Sequence, residues 1–80
     1  MPVAEKHRRN PSLVALGRAI RAVRESQRVS QEDMAHRADV DRAYYGRVER
    51  GDNNVAVLTL AKIAKALGLS VAKLMMKAKL

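Results

Sequence analysis

Apolar residues in the first part of the chain recur at the spacing of a helix. Between residues 10 and 27 they follow one another at intervals of three and four, and charged residues stand between them. This period places the apolar side chains on one side of an amphipathic helix. Asn10 and Pro11 are typical of a helix start, because asparagine caps free amides and proline fits the first turn. The apolar positions are Leu13, Leu16, Ile20 and Val23.

A second helix start follows at Ser30. Its hydroxyl can accept a hydrogen bond from the amide of Asp33, and the acids Glu32 and Asp33 favour the positive end of a helix dipole. We expect this helix to run to about Ala38 and to be followed by a tight turn at Asp39.

A third helix is predicted directly after that turn. Asp41 can cap its first amides, and the helix should cover about Arg42 to Arg50. Gly51 is a natural end, because glycine adopts the left-handed conformation that often closes a helix. Two short helices joined by about three or four residues form a helix-turn-helix arrangement.

Two more helices are predicted in the last third of the chain. The apolar positions of the fourth are Val57, Leu60, Ala61, Ala64 and Leu67, and Gly68 ends it. Ser70 can cap a fifth, whose inward positions are Val71, Leu74 and Met75. No strand pattern or repeat is present, so the predicted fold class is all-α with five helices.

Composition agrees with one small helical domain. Eighty residues suffice for one core and not for two. The core must be aliphatic, because the chain has no Phe or Trp and only two Tyr. No apolar run approaches the roughly 20 residues that span a bilayer, and residues 1–10 lack the apolar stretch of a signal peptide. We therefore expect a cytoplasmic protein without a membrane partner.

The inventory of reactive groups argues against an enzyme. The absence of cysteine excludes a disulfide framework, a cysteine-ligated zinc site and a thiol nucleophile. His7 and His36 have no second ligand at metal spacing, and the four glycines are too scattered for a phosphate loop. We expect no metal, no cofactor and no small-molecule ligand.

The charge distribution points to a polyanionic partner. The formal net charge is +8, and all ten arginines lie between Arg8 and Arg50, whereas residues 53–80 carry five lysines and no acid. Such a field attracts nucleic acid, and arginine suits bidentate contacts to phosphate and guanine. A merely soluble basic surface is the alternative. We divide the chain into a basic tail, residues 1–11, and a DNA-binding domain, residues 12–80.

Three segments carry a resemblance to a known family. They are SQEDMA at residues 30–35, YYGRVERG at residues 44–51 and LAKIAKALGLS at residues 60–70. From Leu16 to Met75, about three-quarters of its length, the chain resembles the Cro/repressor-type helix-turn-helix family, also called XRE-like. Within it, the stretch RAYYGRVERG and the chain length are similar to controller proteins of restriction-modification systems. The resemblance implies the five-helix fold of lambda-repressor-like domains.

The resemblance also implies which residues meet DNA. Because the third helix of this family lies in the major groove, the matching Arg42, Ala43 and Arg47 are the expected base readers. Arginine can bond guanine N7 and O6, and alanine can touch a thymine methyl. Without the motif, these would be ordinary exposed helix residues. The residues expected at the DNA backbone are Gln31, Tyr44, Arg50, Asn53 and Asn54.

The family pattern assigns a structural role to Arg24 and Glu49. The equivalent positions form an ion pair between the first and third helices, so neither residue is expected to read DNA directly. The chain departs from the family pattern at three positions. Asp39 occupies a turn position where glycine is common, Gly46 lies inside the third helix, and Ala56 replaces a capping serine, which leaves the start of the fourth helix open by about two residues.

A twofold homodimer on an inverted-repeat operator is expected, because one short recognition helix reads too few base pairs for a genome-scale search. The interface should use apolar residues that the core leaves over, namely Leu58, Met76 and Leu80. A frayed C-terminus is the alternative. An antitoxin that binds both a toxin and DNA is the second functional hypothesis, and a basic surface for anionic membranes is a third.

Overall fold

The computed structural model describes residues 10–80 and contains, within that range, five α-helices and no strand. The helices are α1 (Pro11–Ser26), α2 (Gln31–Ala38), α3 (Arg42–Arg50), α4 (Val57–Leu67) and α5 (Val71–Lys77). The predicted all-α class and the helix order are thus confirmed. Most of the predicted basic tail, including His7, lies outside the described residues. No helix in residues 10–80 is long and apolar enough to cross a membrane.

Side-chain caps fix the start of most helices. At α2 the Ser30 hydroxyl accepts a hydrogen bond from the Asp33 amide at 3.0 Å, as the sequence predicts. The other side-chain caps are Asn10 for α1, Asp41 for α3 and Ser70 for α5. Helix α4 begins at Val57 after Ala56, whose side chain makes no capping bond. This settles the start that the sequence left open.

Left-handed residues end the three central helices. Gly51 and Gly68 close α3 and α4 with φ values of 76° and 81°. Asp39 closes α2 with φ of 58° and ψ of 46°, although it has a side chain. Asp is one of the few residues that visits this region, at some cost in energy. The turn between α2 and α3 therefore keeps the geometry that glycine usually provides.

The core is aliphatic with one aromatic residue. Helix α1 packs against α3, α4 and α5, while α2 packs against α3 and α4. Tyr45 of α3 lies at the centre and is fully buried. The other large side chains that are fully buried are Ile20, Met34, Ile63 and Leu74.

The buried stripe of α4 differs from the predicted one. Val57 is 75% exposed and Ala61 is also exposed, whereas the unpredicted Ile63 is fully buried. At about 100° per residue, the stripe is centred between Ile63 and Ala64, which turns Ala61 towards solvent, whereas Val57 is exposed as the first residue of the helix. The prediction placed the stripe too far to one side because it left out Ile63.

Gly17 brings α1 and α3 into backbone contact. A Cβ atom at this position would lie 2.6 Å from the carbonyl oxygen of Val48 and would also clash with the carbonyl oxygen of Glu49. Real Cβ atoms do not approach so closely, so only glycine fits here without movement of a helix. This contact fixes the end of α3 against α1.

Candidate nucleic-acid interface

Helix α3 exposes one side that is rich in arginine. Arg42, Ala43 and Arg50 are exposed and Arg47 is partly exposed. At about 100° per residue these positions fall within an arc of about 140°. The opposite side carries buried Tyr45 and Val48. The structure therefore brings the three expected base readers onto one accessible surface.

Arg47 is held between two neighbours. Its guanidinium carbon lies 5.9 Å from the centre of the Tyr44 ring, within the range of a cation–π contact. With the Asn53 amide oriented to satisfy both its atoms, its oxygen accepts from Arg47 Nε at 2.9 Å. The Asn53 nitrogen then donates to the carbonyl of Asp52 at 3.1 Å. The loop residue Asn53 thus contacts Arg47 of α3, a contact that the sequence analysis did not predict.

Arg50 is bound to the same loop. Its Nε donates to Asp52 Oδ2 at 3.0 Å, and its side chain is 54% exposed. Asn54, two residues after Asp52, is exposed. Arg47 and Arg50, near the end of α3, therefore each donate from Nε to a loop side chain, Asn53 and Asp52 respectively. Their terminal guanidinium nitrogens take no part in these two bonds.

A buried polar network lies behind this surface. Arg24 of α1 donates from Nε to Glu49 Oε2 at 2.7 Å and from Nη2 to Oε1 at 3.1 Å. Gln31 at the start of α2 donates to Glu49 Oε1 at 2.8 Å. Arg24 also donates to the carbonyl of Val29 at 2.8 Å. The expected ion pair is thus present as a two-point contact, and it joins α1, α2 and α3.

Burial and hydrogen bonding oppose each other at Glu49. Burial alone would raise its pKa, but hydrogen bonds from Arg24 and Gln31 lower it on balance. The hydrogen bond to Glu49 raises the pKa of Arg24 despite the cost of burial. Burial, and secondly the nearby carboxylate, raise the pKa of Tyr45. The pair is therefore fully ionised at neutral pH.

This network predicts acid sensitivity. Because the pKa of Glu49 is lower in the folded chain than its ordinary 4.5, its stabilising contribution is complete above that value and is lost as the pH falls below it. We expect the free energy of unfolding to fall as the pH drops below about 4.5, and to fall less in Glu49→Gln. Denaturant unfolding over this range measures both slopes. Equal slopes in the two proteins would contradict the prediction.

Gln31 faces inward as well as outward. Its nitrogen is bound to Glu49, while its oxygen lies near the position that a Cβ of Gly46 would occupy. The residue also lines an open groove of about 200 Å³ between α1, α2 and α3. Sequence reasoning missed the two α1 arginines in this groove, Arg18 and Arg21. Their spacing of three, one helical turn, is the signal that could have revealed a shared face.

Several large apolar side chains lie on the surface. Leu58 is 80% exposed, Met76 is 74% exposed and Leu80 is 53% exposed, as expected for residues that the core leaves over. Val57 is a further exposed apolar residue that the sequence prediction placed inside. These residues offer apolar area outside the core.

The α2–turn–α3 unit, with its arginine-rich outer side, is a helix-turn-helix, the class of structure that presents a helix to DNA. A family model described as helix-turn-helix matches residues 20–74. The chain belongs to the XRE-type helix-turn-helix family of DNA-binding regulators.

Similar proteins include control proteins and regulators. The chain is 35% identical to control protein C.MunI of a Mycoplasma species, over 81% of this chain and 89% of that one. It is 42% identical to control protein C.SmaI of Serratia marcescens, over 75% and 71%.

Two solved structures share the fold. The restriction-modification controller protein C.AhdI from Aeromonas hydrophila superposes with a TM-score of 0.75 and 39% identity, over 78% of this chain and 94% of that one. The clp gene regulator ClgR from Corynebacterium glutamicum superposes with a TM-score of 0.81 and 34% identity, over 85% and 72%.

Proposed function

We propose that this protein is a cytoplasmic, controller-type transcriptional regulator that binds an inverted-repeat operator as a homodimer. The observation that carries the proposal is the arginine-rich outer side of α3, directly after the helix-turn-helix turn. The similarity to control proteins from two bacteria favours the controller type.

Helix α3 would enter the major groove with its exposed side towards the bases. Arg42 and Arg47 would each donate two hydrogen bonds to guanine N7 and O6, and Ala43 would contact a thymine methyl. All three lie on the accessible arc of the helix. The buried side chains of Glu49 and Tyr45 would hold the helix at a fixed angle to the rest of the domain.

Contacts to the DNA backbone would flank α3. Gln31 lies at the first position of α2, where free amides and the helix dipole favour a phosphate. Arg50 and Asn54 are exposed at and beyond the other end of α3. These contacts would position the helix without reading sequence.

Substitution of the base readers tests this proposal. Arg42→Ala and Arg47→Ala should each weaken binding to a cognate duplex by about 1–3 kcal/mol and binding to random DNA much less. The cognate duplex is obtained by selection of random-sequence DNA with the wild-type protein, and fluorescence anisotropy gives both affinities. Asn54→Ala is the matched control and should weaken both alike. An unchanged ratio of the two affinities in the arginine variants would contradict base reading.

The proposed dimer would use the exposed apolar residues of α4 and the C-terminus. Leu58, Met76 and Leu80 supply apolar area outside the core, and burial of such area drives association. A symmetric dimer would set the two α3 helices roughly 34 Å apart, one turn of DNA.

A charge at this surface should prevent association. We expect sedimentation at micromolar concentration to show a dimer for the wild type and a monomer for Met76→Glu, because a carboxylate would be buried without a partner. His36→Glu adds the same charge at an exposed site on α2 and should leave the dimer intact. A monomeric wild type, or a Met76→Glu protein that still dimerises, would overturn the proposed interface.

A further inference from the structure

The contact between Arg47 and Asn53 uses one particular nitrogen of the guanidinium. Asn53 accepts from Nε at 2.9 Å, and Tyr44 lies beneath the guanidinium, with 5.9 Å between its ring centre and the guanidinium carbon. A bidentate bond to guanine needs two parallel donors, and the two terminal nitrogens can supply them when Nε is already occupied. The contact with Asn53 is therefore compatible with base reading by Arg47.

Orientation of this side chain before binding has an energetic consequence. A free arginine side chain samples many rotamers, and fixing it on a base costs part of the binding free energy. Asn53 is itself fixed, because its nitrogen donates to the carbonyl of Asp52 at 3.1 Å. The loop thus restricts the directions that Arg47 can take.

We infer that Asn53 is a positioning residue that sets sequence specificity through Arg47, with the Tyr44 ring as the second support. The inference rests on the proposed base contact of Arg47. It differs from the expectation drawn from the family resemblance, which places Asn53 and Tyr44 on the DNA backbone. A backbone contact changes affinity for every sequence, whereas positioning of Arg47 changes the preference for one sequence.

Two substitutions of Asn53 separate these roles. Asn53→Ala removes both a phosphate donor and the acceptor for Arg47. Asn53→Asp keeps an oxygen acceptor for Arg47 Nε but introduces a negative charge, which a phosphate contact would not tolerate. If Asn53 positions Arg47, the aspartate variant should keep sequence specificity. If Asn53 contacts a phosphate, the aspartate variant should bind all DNA more weakly than the alanine variant does.

The measured quantity is the ratio of affinities for the duplex selected by the wild type and for random DNA. We expect Asn53→Ala to lower this ratio about 2- to 10-fold, the range set by the cost of ordering one long side chain. Asn53→Asp should stay near the wild-type ratio. Asn54→Ala is the matched loop control and should leave the ratio unchanged. Thermal unfolding of each variant shows that the fold is retained.

A double substitution gives a second readout. In an Arg47→Ala background, Asn53→Ala should no longer change the ratio, because the residue through which it acts is gone. The positioning role of Asn53 is overturned, while base reading by Arg47 stands, in either of two cases. In the first, Arg47→Ala lowers the ratio but Asn53→Ala does not. In the second, Arg47→Ala lowers the ratio and Asn53→Ala lowers it equally in both backgrounds. If Arg47→Ala leaves the ratio unchanged, base reading by Arg47 and the positioning role both fall.

Discussion

Glu49→Ala is expected to lower the free energy of unfolding by about 3–5 kcal/mol, because it leaves the Arg24 guanidinium buried without its partner. The two side chains are 10% and 1% exposed, so water does not replace the lost contact. For a domain of this size each 1 kcal/mol shifts the melting temperature by about 4–8 °C. Thermal unfolding should therefore show a loss of more than about 12 °C.

The chain offers a matched ion pair as a control. Arg21 and Glu25 are four residues apart on α1 and join at 3.3 Å, but their side chains are 60% and 55% exposed. Glu25→Ala should cost only about 0.5 kcal/mol or less, because exposed pairs are screened by water. If Glu49→Ala melts as close to the wild type as Glu25→Ala does, the buried pair contributes little and its role in holding α3 is wrong.

Gly17→Ala should also destabilise the fold strongly, by about 3 kcal/mol. The added methyl group would meet backbone oxygen atoms of α3 and not the flexible end of a side chain, so a helix must shift to make room. Alanine is the better helix former by about 1 kcal/mol, which makes a net loss diagnostic of the close approach. Denaturant unfolding gives the difference directly.

Gly46→Ala is the matched control for a helical glycine. A Cβ at Gly46 would lie 3.3 Å from an outer nitrogen of Arg50, the movable end of a long side chain. The gain in helix propensity should then dominate, so this variant is expected to be as stable as the wild type or up to about 1 kcal/mol more stable. Equal losses in the two alanine variants would show that the helix contact at Gly17 is not tight.

The helix boundaries were predictable because the signals for them are local. Ser30 and its partner Asp33 are three residues apart, and the same holds for Asp41 and Tyr44, so each cap is contained within one turn of chain. Gly51 ends α3 for a reason that concerns its own backbone alone. The five helices follow from such signals together with the spacing of apolar residues.

The contacts that organise the site were not predictable in the same way. The carbonyl oxygens that Gly17 approaches lie in another helix, and the partner of Gln31 is 18 residues away in the chain. Periodicity does not indicate which residues of two different helices will meet. The family resemblance supplied the pairing of Arg24 with Glu49, but it did not indicate the contact between Arg47 and Asn53.

Tyr44 and Tyr45 are adjacent in sequence but lie in different environments, so their fluorescence can report on two different events. Tyr45 is fully buried beside the Arg24–Glu49 pair, and Tyr44 lies half-buried beneath Arg47 on the arginine-rich side. The chain has no tryptophan, so these two rings dominate its intrinsic fluorescence. Tyr44→Phe would leave an emission that follows unfolding, and Tyr45→Phe would leave one that follows events at the α3 surface.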